Sequence, residues 1–480
     1  MKTFVLSVFI LSGTVIQPII AQDKDRLEKA RVVVLTDIEN EPDDAQSLVR
    51  FLVYSNHYDV EALIATTSTH LRDTTAEWRI REIVEAYGKV RTNLLLHETG
   101  FPTEEYLHSI TKKGIPRYGM SGVGSGMDSE GSDWLIDVVD KEDDRPVWVT
   151  VWGGANVLAQ ALWKVRNTRT PTELARFVAK MRVYTISDQD DSASWIRKEF
   201  PDLFYIVSPG ESYRYATWSG ISGEPWYKFA SGADTSLVKN PWLRENIMDG
   251  HGPLGAEYPE VEYAMEGDTP SFLSLINNGL NVPERPDYGG WGGRYELYQP
   301  RFKPYRNLEK TEPETRPIWA DTQDEVVGND GRIYIDNHAT IWRWREAYQH
   351  DFAARMDWCI QNYEGANHPP KAVVSSENEV AIRVGEEITL DASGSSDPDS
   401  DNLRYQWIHY PEAGSYWEQS WLGFIELENT DQAQLKIKIP AKAKLSIPQT
   451  THIILQVTDD GTPSLTRYQR IILHIMPAKN

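Results

Sequence analysis

Cysteine is almost absent. Cys359 stands alone in 480 residues, so no intrachain disulfide can form. It ends a helical pattern, Met356-Asp357-Trp358-Cys359-Ile360, where a buried, inert thiol is expected. Positive charge is scarce as well. Lys and Arg number 49 against 71 Asp and Glu, a net charge of −22, which argues against nucleic acid or an anionic membrane as partner. The long apolar run Phe4 to Ile20, preceded by Met1-Lys2-Thr3, reads as a secretory signal peptide over residues 1–21, with Ala21 suited to cleavage. It lacks a basic stop-transfer flank, so the mature chain is expected to be secreted or periplasmic and free of the membrane. A phosphate-binding loop is missing too. The glycine-rich stretch Gly119-Met120-Ser121-Gly122-Val123-Gly124-Ser125-Gly126 has no Lys and no strand directly before it. It reads as a mobile loop or lid.

What the chain does have is organised around residues 32–44. The apolar run Val32-Val33-Val34-Leu35-Thr36 stops in acid: Asp37, Glu39, Glu41, Asp43 and Asp44 fall within eight residues. Ala45, Leu48, Val49, Leu52 and Val53 then keep the spacing of a one-sided helix. This predicts a buried parallel strand, a loop at its C-terminal end and a helix opening near Asp43 and Asp44. Ligands of open α/β sheets sit at that edge. Carboxylates massed there repel one another unless a cation offsets the charge. The plain alternative is that Asp43 and Asp44 only complement the helix dipole, worth about 0.3–1 kcal/mol each, while Glu39 and Glu41 are solvated loop charges.

With 480 residues, two or more domains are expected. Further strands are predicted at Val60 to Thr66, Pro146 to Val151, Arg182 to Ile186 and Leu203 to Val207, each separated from the next by helical patterns. Such alternation implies an open, mostly parallel sheet covered by helices, placed at residues 31–366. Asp37, Asn156 and Asp188 all fall at strand ends, on what should be one edge. Residues 367–371, with Asn367-His368-Pro369-Pro370, read as a linker. From 372 to 480 the alternation has period two, as in an all-β sandwich. Its loops, around Asp397-Pro398-Asp399 and Asp459-Asp460-Gly461, resemble those of immunoglobulin-like PKD and cadherin modules. Asp397-Pro398-Asp399-Ser400-Asp401 mimics the start of an EF-hand. Asn402 replaces its turn glycine and Ile408 its closing Glu, so it reads as a turn built by Asp side chains.

The opening stretch resembles the nucleoside hydrolases, whose Asp-x-Asp-Pro-Gly-x-Asp-Asp loop holds one Ca²⁺. Thr36-Asp37 stands for its start and Pro42-Asp43-Asp44 for its end. Gly153-Gly154-Ala155-Asn156 looks like that family's Gly-Pro-Leu-Thr-Asn turn. With its β domain, the whole chain is similar to the secreted bacterial proteins called cellulose-binding. Their motifs resemble Glu266-Gly267-Asp268-Thr269-Pro270-Ser271-Phe272 and Gly290-Trp291-Gly292-Gly293-Arg294. The resemblance implies a Ca²⁺ held by Asp37, Asp43, Asp44, Asp268 and the Ala155 carbonyl. Asp37 or Asp43 would be the catalytic base toward water. Asp268 equally suits an N-cap. Two extra residues between Asp37 and Asp43, with Leu35 where the family has Asp, widen the expected substrate from nucleosides to carbohydrates. The expected activity is Ca²⁺-dependent hydrolysis of glycosidic or N-glycosidic bonds; the alternative is a non-catalytic carbohydrate-binding protein that keeps the fold. Substrate contacts are expected from Asn156, Thr67, Asp188, Asp191, Trp195, His251 and Trp291, with Trp152 a further ring able to floor a sugar. The leaving-group acid is left open among Asp188, Asp190, Asp191, His251 and Glu266.

Overall fold

The apolar run forms β1 (Ala30–Thr36), with Val32 to Leu35 wholly buried. Branched residues on consecutive positions suit a strand covered on both faces. In this computed structural model, which describes residues 29–209, 213–223, 232–300, 314–416 and 423–479, β1 is central. The expected signal peptide lies outside the described residues. Helix α1 (Pro42–Val53) follows, with Pro42 in its first turn. The chain continues through β2 (Tyr58–Ala65), α2 (Glu77–His97), α3 (Glu104–Ile110), β3 (Thr111–Lys113), α4 (Glu130–Asp140), β4 (Val147–Val151), α5 (Asn156–Thr168), α6 (Pro171–Ala179), β5 (Met181–Ser187), α7 (Asp191–Glu199) and β6 (Phe204–Ser208). Two later strands, β7 (Tyr295–Tyr298) and β8 (Ile318–Asp321), complete one sheet in the order β3-β2-β1-β4-β5-β6-β8-β7. All its pairings are parallel except β7 with β8.

That order sets the site. The chain builds outward from β1 to β2 and β3, then returns to β4 on the other side of β1. The crevice at such a reversal lies outside the carboxyl ends of β1 and β4. Asp37 follows β1 there, and Gly153-Gly154 follow β4.

Beyond a hairpin of β9 (Asp324–Val327) and β10 (Ile333–Asp336), helix α8 (Arg345–Trp358) packs back on α1 and α2. The C-terminal strands are β11 (Glu379–Arg383), β12 (Glu387–Asp391), β13 (Arg404–Tyr410), β14 (Glu426–Glu428), β15 (Gln434–Lys438), β16 (Gln449–Thr458) and β17 (Thr466–Met476). They form two sheets, β11-β17-β16-β13 and β12-β15-β14, around a separate apolar core that includes Leu390, Trp407, Ile437 and Leu455. Every pair is antiparallel except β11 with β17. The two parts also share packing: Tyr410, Ile454 and Tyr468 join the core cluster that contains α1 and α8. No described helix is long and apolar enough to cross a membrane.

Candidate metal centre

Three carboxylates meet at the edge of β1. One oxygen each from Asp43, Asp44 and Asp268 lies within 4.8 Å of the others. Asp43 and Asp44 come from the first turn of α1; neither caps it, since the N-cap is Glu41 and makes no side-chain cap bond. The Thr36 hydroxyl donates to Asp44 Oδ1 and fixes that carboxylate against the end of β1. Asp268 arrives from a distant loop anchored by the residue two before it. Glu266, fully buried, pairs with Arg50 of α1 at 2.6 Å and accepts from the Tyr258 hydroxyl at 2.7 Å. The Thr269 hydroxyl donates to Glu266 at 2.9 Å, and the Glu266 N–H donates to Gln46 at 3.0 Å. Glu39 and Glu266 both hold left-handed backbone, with φ of 78° and 47°. Non-glycine residues keep such conformations where surrounding contacts over-determine them.

Asp37 stands beside this trio rather than within it. A side chain at Gly153 would overlap its carboxylate, and one at Gly267 would come within 2.8 Å of Asp43 Oδ2. The glycines leave room for the acids.

The electrostatics are those of crowded buried anions. Burial, then Glu41 and Asp37, pushes the Asp43 carboxyl up to about 8. Burial, followed by Asp37 and Asp43, raises Asp44 well above the carboxylate range. Asp268 rises well above it too, through burial and then Asp44 and Asp43. Burial also raises Asp37, against a lowering hydrogen bond from Ser68. Asp268 Oδ2 is buried without any hydrogen-bond donor. An acceptor left unmet in a pocket of like charge fits a hard, oxygen-seeking divalent cation.

Residues 31–295 match the family described as cellulose-binding Sde182, nucleoside hydrolase-like domain. The chain belongs to this family. Residues 387–475 match the companion family, cellulose-binding protein Sde0182, C-terminal domain. The chain is 39% identical to a nucleoside hydrolase-related protein from Saccharophagus degradans described as associated with carbohydrate metabolism, over 94% of this chain and 100% of that one, with a TM-score of 0.78. More distant are the PKD domain of the KIAA 1837 protein (17% identity, 24% of this chain and 94% of that one, TM-score 0.17) and the type III effector XopQ, solved with adenosine diphosphate ribose (11%, 69% and 95%, TM-score 0.31). No curated protein matches the chain.

Other residues expected at the Sde182-family site take different places. The Ala155 carbonyl accepts the first hydrogen bond of α5, from the Ala159 N–H at 2.9 Å, so it is already engaged by the helix. Asn156 and Thr67 are fully buried, and their side chains hold down the glycine-rich loop. Asn156 Nδ2 donates to the Arg117 carbonyl at 2.7 Å, and the Thr67 hydroxyl donates to the same oxygen at 3.1 Å. That loop, read as a lid, is pinned further where the N–H groups of Met120 and Gly124 donate to Asp191 and Gln160, both at 2.8 Å. Asp188 is locked to Arg197 by two bonds of 2.7 and 2.9 Å. Trp195 packs edge-on to Phe200 beneath the Arg166 guanidinium. His251 contacts Asp357 at the end of α8. Trp291 is 0% exposed, enclosed by Tyr348 and by Tyr468 of the β domain, so it cannot stack on a sugar. Trp152 is equally buried.

Three residues with no assigned role in the sequence do reach the site. Glu41 is not a plain solvated charge: burial first, then Asp37 and Glu262, raises its carboxyl despite a lowering from His70. His70 is exposed, acts electrostatically on both Asp37 and Glu41, and meets the Tyr213 hydroxyl at 3.0 Å. Tyr213 in turn lies edge-on to Trp218, whose ring backs Gly267. His70 closes the hydroxyl cluster after β2, a position shared with the acids only once strand order is known.

Proposed function

We propose that this chain is an exported, Ca²⁺-binding hydrolase of glycosidic or N-glycosidic bonds in a carbohydrate. The observation that carries the reading is the convergence of Asp43, Asp44 and Asp268 at the switch point of a parallel sheet, with Asp268 Oδ2 unpaired. Those three would hold the ion, with Asp37 adjoining. When bound, the ion supplies a Lewis acid and compensates the negative charge. Asp37 then serves as the base, taking a proton from the attacking water at its carboxylate, with Asp43 the second candidate for that task. As positive charge develops on the sugar ring, the same carboxylates stabilise it.

Of the five acids considered for the leaving group, Asp188 is paired with Arg197 and Glu266 with Arg50. Asp191 holds the Met120 N–H, and His251 faces Asp357. Asp190 caps α7 through Ser192, and its other oxygen is sealed from solvent. His70 instead is exposed and acts on Asp37 and Glu41, so it is assigned to protonate the leaving group. His70→Ala is expected to lower kcat by roughly 100-fold on poor leaving groups and much less on activated aryl leaving groups. Equal losses on both would overturn the assignment. Gly153→Ala, which displaces Asp37, is expected to cut turnover about 100-fold while leaving the trio's calcium affinity within about 10-fold of the wild type.

The direct test is incubation of the calcium-loaded protein with polysaccharide fragments, aryl glycosides and nucleosides. Release of reducing sugar or free base is expected. The family description speaks of cellulose binding, which favours a second reading as a non-catalytic binding protein. Measurable sugar binding without release would decide for it.

A further inference from the structure

At the junction of the two domains, one sheet face changes character along its length. Strands β13, β16 and β17 lie side by side, with Ile408 opposite Ile454 and Ile454 opposite Arg470. Ile408 and Ile454, with Tyr410 and Tyr468, pack into the core that contains α1 and α8. Further along the same strands, side chains of period two keep to the same face and turn polar. Gln406 stands opposite Gln456, Arg404 opposite Thr458, and Thr458 opposite Thr466. Between this polar end and the start of α8 lies a cavity of about 360 Å³. Glu346, Ala347 and His350, spaced to share a face of α8, line its other wall. His350 Nδ1 donates to the Ser464 carbonyl at 3.2 Å and so holds α8 to the turn before β17.

The lining has hydrogen-bonding capacity left over. Trp344, the residue before α8, borders the cavity with Tyr468, their rings edge-on and 5.6 Å apart. Trp344 is 3% exposed, and its Nε1 is buried without an acceptor. An indole N–H can only donate, and a buried donor is normally met. Gln406 Nε2 reaches the Trp407 carbonyl at 3.2 Å, and Gln456 Nε2 reaches the Thr458 hydroxyl at 3.5 Å. Each carboxamide therefore keeps an oxygen and a second N–H for another partner. Charge on the lining is nearly balanced, unlike that at the β1 edge. Arg343 is neutralised by Asp324 at 2.9 Å, while Arg404 and Glu346, both exposed, offset one another. A phosphate or a polyanion would find no cluster of free cations here.

We propose that this cleft is a second carbohydrate site, holding a short neutral saccharide between α8 and the β sheet, with Trp344 Nε1 donating to a sugar oxygen. Carboxamides and hydroxyls both donate and accept, which matches the hydroxyls of a sugar. The cavity falls at the lower end of the roughly 300–1,000 Å³ that small-ligand pockets occupy. The inference rests on the carbohydrate reading of the chain, but on neither the metal nor turnover. A ligand gripped from both sides also holds the two domains together, so it should raise the unfolding temperature of the whole chain.

The test is calorimetric titration of the full-length chain with cellotetraose, xylotetraose and mannotetraose, in EDTA and in calcium. At least one of them should bind in both conditions. Trp344→Phe and Gln456→Ala should each weaken that binding by about 10-fold, and Asp43→Asn should leave it unchanged. Gln456 is a half-buried strand residue, so its variant keeps the test valid if Trp344→Phe does not fold. Binding that needs calcium or is lost in Asp43→Asn, yet is kept in both cleft variants, would overturn the cleft and put the sugar at the β1 edge. No binding of any of the three would also overturn it. Release of sugar from aryl glycosides by the calcium-loaded protein would then still uphold the carbohydrate reading, and its absence would end both.

Discussion

Asp43→Asn is expected to make the metal-free protein more stable and, in the same step, to abolish the stabilisation that calcium gives. The two signs follow from one fact. Asp43 is held at about 8 by burial, Glu41 and Asp37, against an unfolded value near 3.9. A carboxyl raised on folding contributes its stability below the unfolded value, and loses it as pH rises through the folded one. Between about pH 4 and pH 8 the unfolded chain releases this proton while the folded chain keeps it. The resulting penalty at neutral pH is of the order of 4 kcal/mol. The Asn side chain has nearly the same shape and no proton to lose, so the variant should unfold at a higher temperature at pH 7.5 and at the wild-type temperature near pH 4. With calcium that difference is offset. Wild-type protein at a thousandfold excess over its dissociation constant gains about 4 kcal/mol, whereas the variant has lost one of three convergent anionic ligands and should gain little. Thermal unfolding at two pH values, with and without calcium, reads all four numbers. A wild type that calcium does not stabilise, or a metal-free variant less stable than wild type at pH 7.5, would contradict the charge-crowding account.

The acids of this centre were legible in the sequence because the strand that carries them is buried on both faces. Val32 to Leu35 leave no alternation to misread, and the sudden run of carboxylates marks the strand end. β2, β4, β5 and β6 were legible for the same reason. β7 and β8 were not: they are four residues each in a stretch rich in Gly, Pro and Trp, β7 with three of its four positions exposed and β8 alternating buried and half-buried ones. Asp268 could not be separated from an N-cap by local pattern. The short helix after it is capped at Thr269 instead, without a side-chain bond, and Asp268 Oδ2 is left unpaired. Long-range pairings account for the rest. Asp188 meets Arg197 across the turn into α7, and nothing in the local spacing distinguishes that use from a substrate contact. Trp291 sits in a glycine-rich loop that reads as exposed. Its burial depends on Tyr468, 177 residues away.

That same packing predicts how the protein comes apart. Asp351 of α8 accepts from the Tyr54 hydroxyl at 2.6 Å, pairs with Arg355 at 3.3 Å and pairs with Arg467 of β17 at 2.5 Å. Burial alone would raise its carboxyl, but Arg467 and Arg355 outweigh it and hold the group at about 2. A carboxyl depressed on folding adds stability above its unfolded value, near 3.9, and loses it as pH falls toward 2. Asp351→Ala is therefore expected to destabilise the protein by about 3–5 kcal/mol at pH 7, because the buried Arg355 and the half-buried Arg467 lose their shared partner. The difference from wild type should shrink between pH 4 and pH 2. Since Arg467 belongs to the β domain, the penalty falls on the junction as well as on α8. Arg470 strengthens the junction, donating to the carbonyls of Leu280 and Gly289, both at 2.9 Å. Gly279 adds a backbone approach to Tyr468 too close for any side chain. Wild-type protein should thus unfold in a single calorimetric transition, and Asp351→Ala in two, with the less stable part melting first. Two transitions in the wild type, or one unchanged transition in the variant, would mean that Arg467 and Asp351 do not couple the domains.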